Sequence, residues 1–293
     1  MTIRKIVAVY FSPTGNAKKI ATNMAGYVQE RLQNSNNLKD GVSSEDGVPI
    51  EYVDFTLSEH RLNVREFAQD ELVIFAVPVY AGRVPNKVLP FVQNLFKGTY
   101  TPVVPIVTYG NRSYDNALKE LRMELDKNGF LAVGAAAIVG EHAFSDKLAP
   151  GRPDTADMND LQTFADKIAD KFICPMDRSN LYLDLDEIPG DWPLERYYTP
   201  LGMDGKPAVF LKAKPKTNEL ICDQCSICTN SCPMGSISKT DCTTVEGICI
   251  KCQACIKSCP NGAKYFDDEA FLSHVKMLET HYGEKRKACD NFI

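Results

Sequence analysis

Along residues 1–175 the hydrophobic positions switch repeatedly between two rhythms. Residues 3–11, IRKIVAVYF, form a dense run of β-branched and aromatic residues that reads as a strand. Residues 16–33 follow with Ala17, Ile20, Ala21, Met24 and Val28 on one face at helical spacing. The alternation then recurs: strand over 50–55, helix over 61–69, strand over 71–80, helix over 86–96, strand over 102–110, helix over 114–129 stopped at Gly129, strand over 130–140 and helix over 154–172. Five such β-α units predict an α/β, doubly wound, five-stranded parallel sheet covered on both faces. Ligands of such sheets bind beyond the carboxyl ends of the strands.

The pattern changes after residue 175. Residues 176–216 are rich in Pro, Asp, Tyr and Gly and predict an ordered linker, with Trp192, Tyr197 and Tyr198 buried against a neighbour. Residues 217–266 carry a cysteine-rich repeat. In the C-terminal segment, 267–293, an amphipathic helix with an acidic first turn leads into a frayed tail. Of the 293 residues, 44% are hydrophobic and 24% charged, which suits a globular chain with a sizeable core. A net charge of -5 disfavours bulk nucleic acid and anionic membranes. The longest uncharged apolar run, 130–140, is too short to span a bilayer, and the N-terminal run breaks too early for a signal segment. The expectation is a cytoplasmic protein with no membrane insertion.

Eleven cysteines in such a chain point away from disulfides. Eight fall into two copies of C-x2-C-x2-C-x3-C-P, at 222–233 and 249–260. Zinc sites pair C-x2-C with a distant second pair, whereas three closely spaced cysteines followed by Cys-Pro form the bacterial [4Fe-4S] run, whose fourth cysteine ligates the other cluster. Cys222, Cys225, Cys228 and Cys259 are thus expected at one cluster, and Cys249, Cys252, Cys255 and Cys232 at the other. The segment 217–266 resembles the two-cluster bacterial ferredoxin module, which implies a small α+β domain and low-potential, one-electron transfer. Cys174, Cys242 and Cys289 are left as bystander thiols.

Three loops at the predicted strand ends carry the other chemistry. Ser12-Pro13-Thr14-Gly15-Asn16-Ala17 opens a helix and offers hydroxyls and backbone N–H groups to an anion. It is neither a nucleotide P-loop nor G-x-G-x-x-G. The loop resembles the FMN-phosphate loop of flavodoxins, with Ala17 where a Thr is usual. Residues 78–85, containing Pro78, Tyr80, Ala81, Gly82 and Arg83, and residues 108–116, containing Tyr109, Gly110, Asn111, Arg112, Ser113 and Tyr114, resemble the flavin-ring loops of the same family. The resemblance implies FMN bound by Ser12, Thr14, Gly15, Asn16, Ala17 and these two loops. Tyr80 and Tyr114 would wall the ring, with Tyr109 in reserve, and the Gly82 peptide would turn beside the flavin N5 edge. Arg83 and Arg112 depart from the usual acidic loops and are expected to stabilise a reduced, anionic flavin. His142, Ser145 and Arg152 lie on a long loop that either shapes a cleft or docks the second domain. His60, His274 and His281 carry no sign of a site.

The order flavodoxin-like domain (1–175), linker, ferredoxin module resembles the ferredoxin–flavodoxin fusion proteins found mainly in anaerobes. The resemblance implies an electron-transfer protein that passes electrons between two [4Fe-4S] clusters and FMN and on to a redox partner protein, a ferredoxin or an oxidoreductase. The alternatives are an FMN-dependent reductase of a quinone, nitro compound or activated alkene, and a redox sensor. No dinucleotide fingerprint or DNA-binding stripe is present, and a homo-oligomer is left open.

Overall fold

A computed structural model describes residues 2–40, 47–174 and 181–293. The first element is β1 (Lys5–Tyr10), followed by α1 (Asn16–Asp40), β2 (Ile50–Asp54), β3 (Arg65–Phe67), β4 (Glu71–Pro78), α2 (Leu89–Leu95), β5 (Phe96–Gly98), β6 (Thr101–Tyr109), α3 (Ala117–Lys127), β7 (Phe130–Ala132), β8 (Ala135–Val139) and α4 (Thr155–Ile173). The C-terminal part adds β9 (Lys216–Thr217), α5 (Ile227–Asn230), α6 (Ala254–Lys257), β10 (Lys264–Tyr265), α7 (Glu269–Tyr282) and β11 (Asp290–Phe292).

The main sheet runs β11-β8-β6-β4-β1-β2, with β7 beside β6. Every pairing in it is parallel except β11 on β8. Without β7 and β11, the strands follow the flavodoxin-like 2-1-3-4-5 order of a doubly wound sheet. Alternate residues of each strand feed opposite cores. Val7, Val9, Val73, Phe75 and Val77 face one side, beneath α2 and α3. Ile6, Ala8, Leu72, Ile74 and Ala76 face the other, beneath α1 and α4. This double covering is why β4 and β6 read as unbroken apolar runs. Each fully buried Phe, Ile or Leu here contributes about 1.5–3 kcal/mol.

The structure departs from the sequence reading in four places. Residues 61–69 are not helical: Arg65–Phe67 pairs in parallel with β5, and the Phe67 ring packs on Phe96 and Phe130 at centroid distances of 6.4 and 5.5 Å. The fifth strand breaks into β7 and β8 around Gly134, where a side chain would meet Ile168 Cδ1 at 2.4 Å and the Phe292 carbonyl at 3.1 Å. The tail does not fray, because Asp290–Phe292 joins the sheet as an antiparallel edge against β8. Trp192 does not bury and is 69% exposed, whereas Tyr197 and Tyr198 are half-buried in contact with the loops of the sheet domain. Among the described residues, no helix is long and apolar enough to cross a membrane.

Candidate functional site

A cavity of about 520 Å³ opens beyond the carboxyl ends of β1, β4, β6 and β8. The turn after β1 supplies Ser12, Thr14, Asn16 and Ala17 to its wall. Gly15 sits in that turn at φ +94°, outside the wall. Ser12 Oγ accepts the Lys18 N–H at 2.9 Å, so this hydroxyl caps α1. Asn16 Nδ2 donates to the Glu141 carbonyl at 3.0 Å and ties the turn to the loop after β8. The exposed N–H groups of a helix's first turn, with the positive end of its dipole, form an anion site.

The loop after β4 turns back on itself. Tyr80 and Arg83 exchange backbone hydrogen bonds, 2.9 and 3.2 Å, with Ala81 and Gly82 at φ +48° and +75° between them. Pro78, Tyr80, Ala81 and Gly82 line the cavity. The Gly82 carbonyl accepts from Asn116 N–H at 3.0 Å and that of Ala81 from Tyr198 N–H at 2.9 Å. Both carbonyls are therefore committed, and a turning Gly82 peptide would break its bond to Asn116. Arg83 points away from the cavity. It makes a two-pronged pair with the buried Glu120, 2.9 and 2.5 Å, and its guanidinium lies 5.1 Å from the Tyr197 ring. Its charge is thus paired with a carboxylate outside the cavity wall. Arg112 does line the cavity, stacked 4.0 Å over Tyr198 and paired with Asp115.

In the loop after β6, Tyr109 and Gly110 reach the wall. Asn111 and Tyr114 do not. The C-terminal segment captures both: Asn111 Nδ2 donates to the Tyr282 and Lys285 carbonyls at 2.6 and 2.7 Å, and Tyr114 OH donates to Asp290 at 2.8 Å. Tyr114 packs edge-on against Tyr109. Burial and Asp290 hold the Tyr114 hydroxyl well above its ordinary range.

Two histidines stand at an aromatic end of the cavity, with Phe144, Tyr198 and Phe210. His142 Nδ1 accepts from Phe144 N–H at 3.0 Å, which places its proton on Nε2. His274 Nδ1 lies 2.8 Å from the Leu201 carbonyl and must donate to it, which leaves Nε2 as an acceptor. Burial lowers both pKa values, that of His142 to about 3. His274 is not recognisable from sequence, because its neighbours Tyr198, Leu201 and Phe210 come from the linker. Ser145 and Arg152 dock the tail instead of shaping the cleft. Ser145 Oγ bonds Glu279 at 2.5 Å, while Arg152 pairs with Asp157 and donates to the Lys287 carbonyl at 2.7 Å.

The roof of the cavity belongs to the C-terminal part, including Ile248, Cys249, Ile250 and Lys251. Those four residues also wall a second, small cavity lined by Cys232, Cys249, Cys252 and Cys255. A third holds Cys222, Cys225, Cys228 and Cys259, with Cys242 as a fifth cysteine that sequence reasoning set aside. The two cysteine sets are built alike. Gln224 and Lys251 lie at φ +57° and +56°, Ser226 and Gln253 at +60° and +65°, and Gly235 and Gly262 at +57° and +61°. Ser236 N–H donates to Cys232 Sγ at 3.3 Å and Ala263 N–H to Cys259 Sγ at 3.2 Å. Ser231 Oγ meets Ser258 Oγ at 2.9 Å between the copies, a separation of 27 residues in sequence. The last cysteine of each copy thus stands with the first three of the other. Among the described residues no three His, Cys, Asp or Glu side chains close on one point as ligands of a single metal ion would. Four thiols around a void, with N–H groups aimed at sulfur, suit a polynuclear core that takes one thiolate per iron.

No family model matches the chain, and no curated protein sequence does. Among solved structures, a flavodoxin from the domain Archaea aligns with 57% of this chain and 98% of its own, at 13% identity and a TM-score of 0.33. Rubredoxin oxygen:oxidoreductase from Desulfovibrio gigas aligns over 58% and 36%, at 16% identity and 0.35. An apo NADH:FMN oxidoreductase aligns over 61% and 94%, at 15% identity and 0.31. The doubly wound architecture rests on the strand order and register of the chain itself.

Proposed function

We propose that the protein is a cytoplasmic electron carrier in which FMN occupies the large cavity and two [4Fe-4S] clusters occupy the cysteine cages. Residues 1–175 are the flavodoxin-like FMN domain, 176–216 the linker, 217–266 the ferredoxin-like module, and 267–293 the helix and strand that bind the module back to the sheet. The observation that carries this reading is the loop 248–251, which walls both the large cavity and the Cys232–Cys249–Cys252–Cys255 cage. When bound, such clusters exchange single electrons and a flavin exchanges one or two.

The residues present suit these groups. The helix α1 turn offers N–H groups to a phosphate, Tyr80 and Tyr109 offer aromatic walls, and Arg112 is the ring-loop arginine that lines the cavity. Ile250 and Phe210, both half-buried, give the roof apolar surface, and residues 248–251 separate the cavity from the cage. Cys225 is exposed on the far cage, where a redox partner protein would dock.

The test is anaerobic reconstitution of the full chain with ferrous iron, sulfide and FMN. About eight irons and one flavin per chain are expected. Cys259→Ser should disturb the cluster held by Cys222, Cys225 and Cys228, and Cys232→Ser the other. Zinc uptake without iron, or iron uptake without flavin, refutes the reading. A second reading, reduction of a small quinone, nitro compound or activated alkene, is favoured by one observation: two histidines, His142 and His274, line the cavity. Rapid discharge of the reduced holoprotein by menadione, lost in His142→Gln, would establish that reading in place of the carrier.

A further inference from the structure

Arg61 is an isolated cation buried beside a cysteine cage. It belongs to the loop before β3 of the sheet domain, yet its guanidinium reaches the carbonyl of Pro233, the residue after Cys232. Its other partners are the carbonyls of Phe55, at 2.9 Å, and Thr56. The rings of Phe11 and Phe91 flank it at 5.5 and 4.9 Å, and only 5% of the residue is exposed. Among the described residues it makes no ion pair, and its contact with the Pro233 carbonyl sets it beside Cys232, the preceding residue.

Burying a cation against neutral carbonyls is costly unless an anion compensates it. Other arginines of the fold have one: Arg83 has Glu120 and Arg152 has Asp157, whereas the buried Lys171 and Lys264 bond carbonyls as Arg61 does. Arg61 has carbonyls and aromatic faces in the places where a carboxylate would fit. Four thiolates around an iron–sulfur core carry net negative charge, and one of the four is Cys232.

We propose that Arg61 is the buried counter-ion of the cluster held by Cys232, Cys249, Cys252 and Cys255, and that it raises that cluster's reduction potential. This rests on the proposed occupancy of the cage. Arg61 is a positioning and tuning residue, for it touches the backbone beside a ligand and not the ligand sulfur. An electron added to the cluster deepens the negative charge, so a fixed cation favours the reduced state. Because Arg61 comes from the sheet domain, only a docked module receives its field. The other cage has the buried Lys264 in its own wall, so the effect of Arg61 is read within one cluster and not as a ranking of the two.

The experiment is a redox titration of the reconstituted full chain, followed by low-temperature EPR, for the wild type, Arg61→Gln and Arg61→Lys. Gln removes the charge and keeps an N–H donor for the carbonyls, while Lys keeps the charge without the planar fork. Arg61→Gln should disfavour reduction of one cluster at least tenfold, about 59 mV for one electron, and leave the other within about twofold. Arg61→Lys should retain most of the wild-type potential. Equal shifts in both clusters, no shift, or an equal loss in Arg61→Lys would overturn the role as counter-ion. A wild type that takes up no iron would instead overturn the occupancy on which the role depends.

Discussion

His142 gives a measurable handle on the cavity because its protonation is tied to burial. Its side chain is held by Phe144 N–H through Nδ1, with Phe144 and Gly110 against the ring. Burial first, then the fields of His274, Lys257 and Arg112, lowers its pKa from 6.5 to about 3. The native state therefore binds fewer protons than the unfolded state between these values, and stability must rise with pH across that window. The contribution is fully present above pH 6.5 and is lost as pH falls towards 3. Between pH 7.5 and pH 5.0 the unfolded imidazole protonates while the folded one does not, which removes about 2 kcal/mol. Carboxylates lose stability in the same direction, so the wild type alone cannot isolate the term. Urea unfolding of cluster-free wild type and His142→Gln at both pH values does isolate it, since Gln retains an acceptor for Phe144 N–H. The wild type should lose about 2 kcal/mol more than the variant on acidification. Losses that agree within about 0.5 kcal/mol would mean that His142 is hydrated and protonates normally in the fold.

Three other perturbations follow from the same geometry. Gly110→Ala would place Cβ 2.2 Å from His142 Cδ2, so ring or loop must shift; a cost of about 1–3 kcal/mol and weaker FMN binding are expected in urea unfolding and flavin-fluorescence titration. Asp157→Ala strands the buried Arg152 and should cost about 3–5 kcal/mol, while Arg152→Met with Asp157→Leu should recover much of it. Asp290→Ala removes the charged acceptor of Tyr114 OH and should cost about 1.5–3 kcal/mol, with faster hydrogen exchange along β8 and β11.

The parallel sheet was legible because a strand covered on both faces is apolar at nearly every position, as β4 is after Glu71. The cysteine cages were legible because ligand spacing is local, and the two copies repeat it. Residues 61–69 misled because a nine-residue segment carries too few apolar positions to separate the two periods, and Phe67 was claimed by Phe96 and Phe130, distant in sequence. Arg83 and Tyr114 were assigned to a ligand because they sit in loops of the right type, but their partners, Glu120 and Asp290, lie 37 and 176 residues away. The edge strand β11 has three residues and no distinctive pattern, so only its pairing with β8 identifies it. Tertiary partners decide which side of a loop a side chain takes, and local sequence does not encode them.

The same distant partners close the cavity. A doubly wound sheet leaves its ligand crevice open to solvent beyond the strand ends. Here the crevice is closed by Tyr197 and Tyr198 from the linker, by residues 248–251 from the module, and by His274 and Leu278 from α7. Lys257 pairs with Glu141 at 2.5 Å, and Asn111 and Tyr109 bond the carbonyls of Tyr282, Lys285 and Ala288, so the roof is fastened to the loops that bear the walls. A ligand in the large cavity then touches both parts, and its binding energy adds to the docking of the module by mass action, about 2.7 kcal/mol at a hundredfold excess over Kd. By reciprocity, whatever orders the Cys249 loop must raise the affinity of the cavity by the same factor. If flavin and clusters occupy these cavities as proposed, their loading is expected to be coupled through residues 248–251, which wall both.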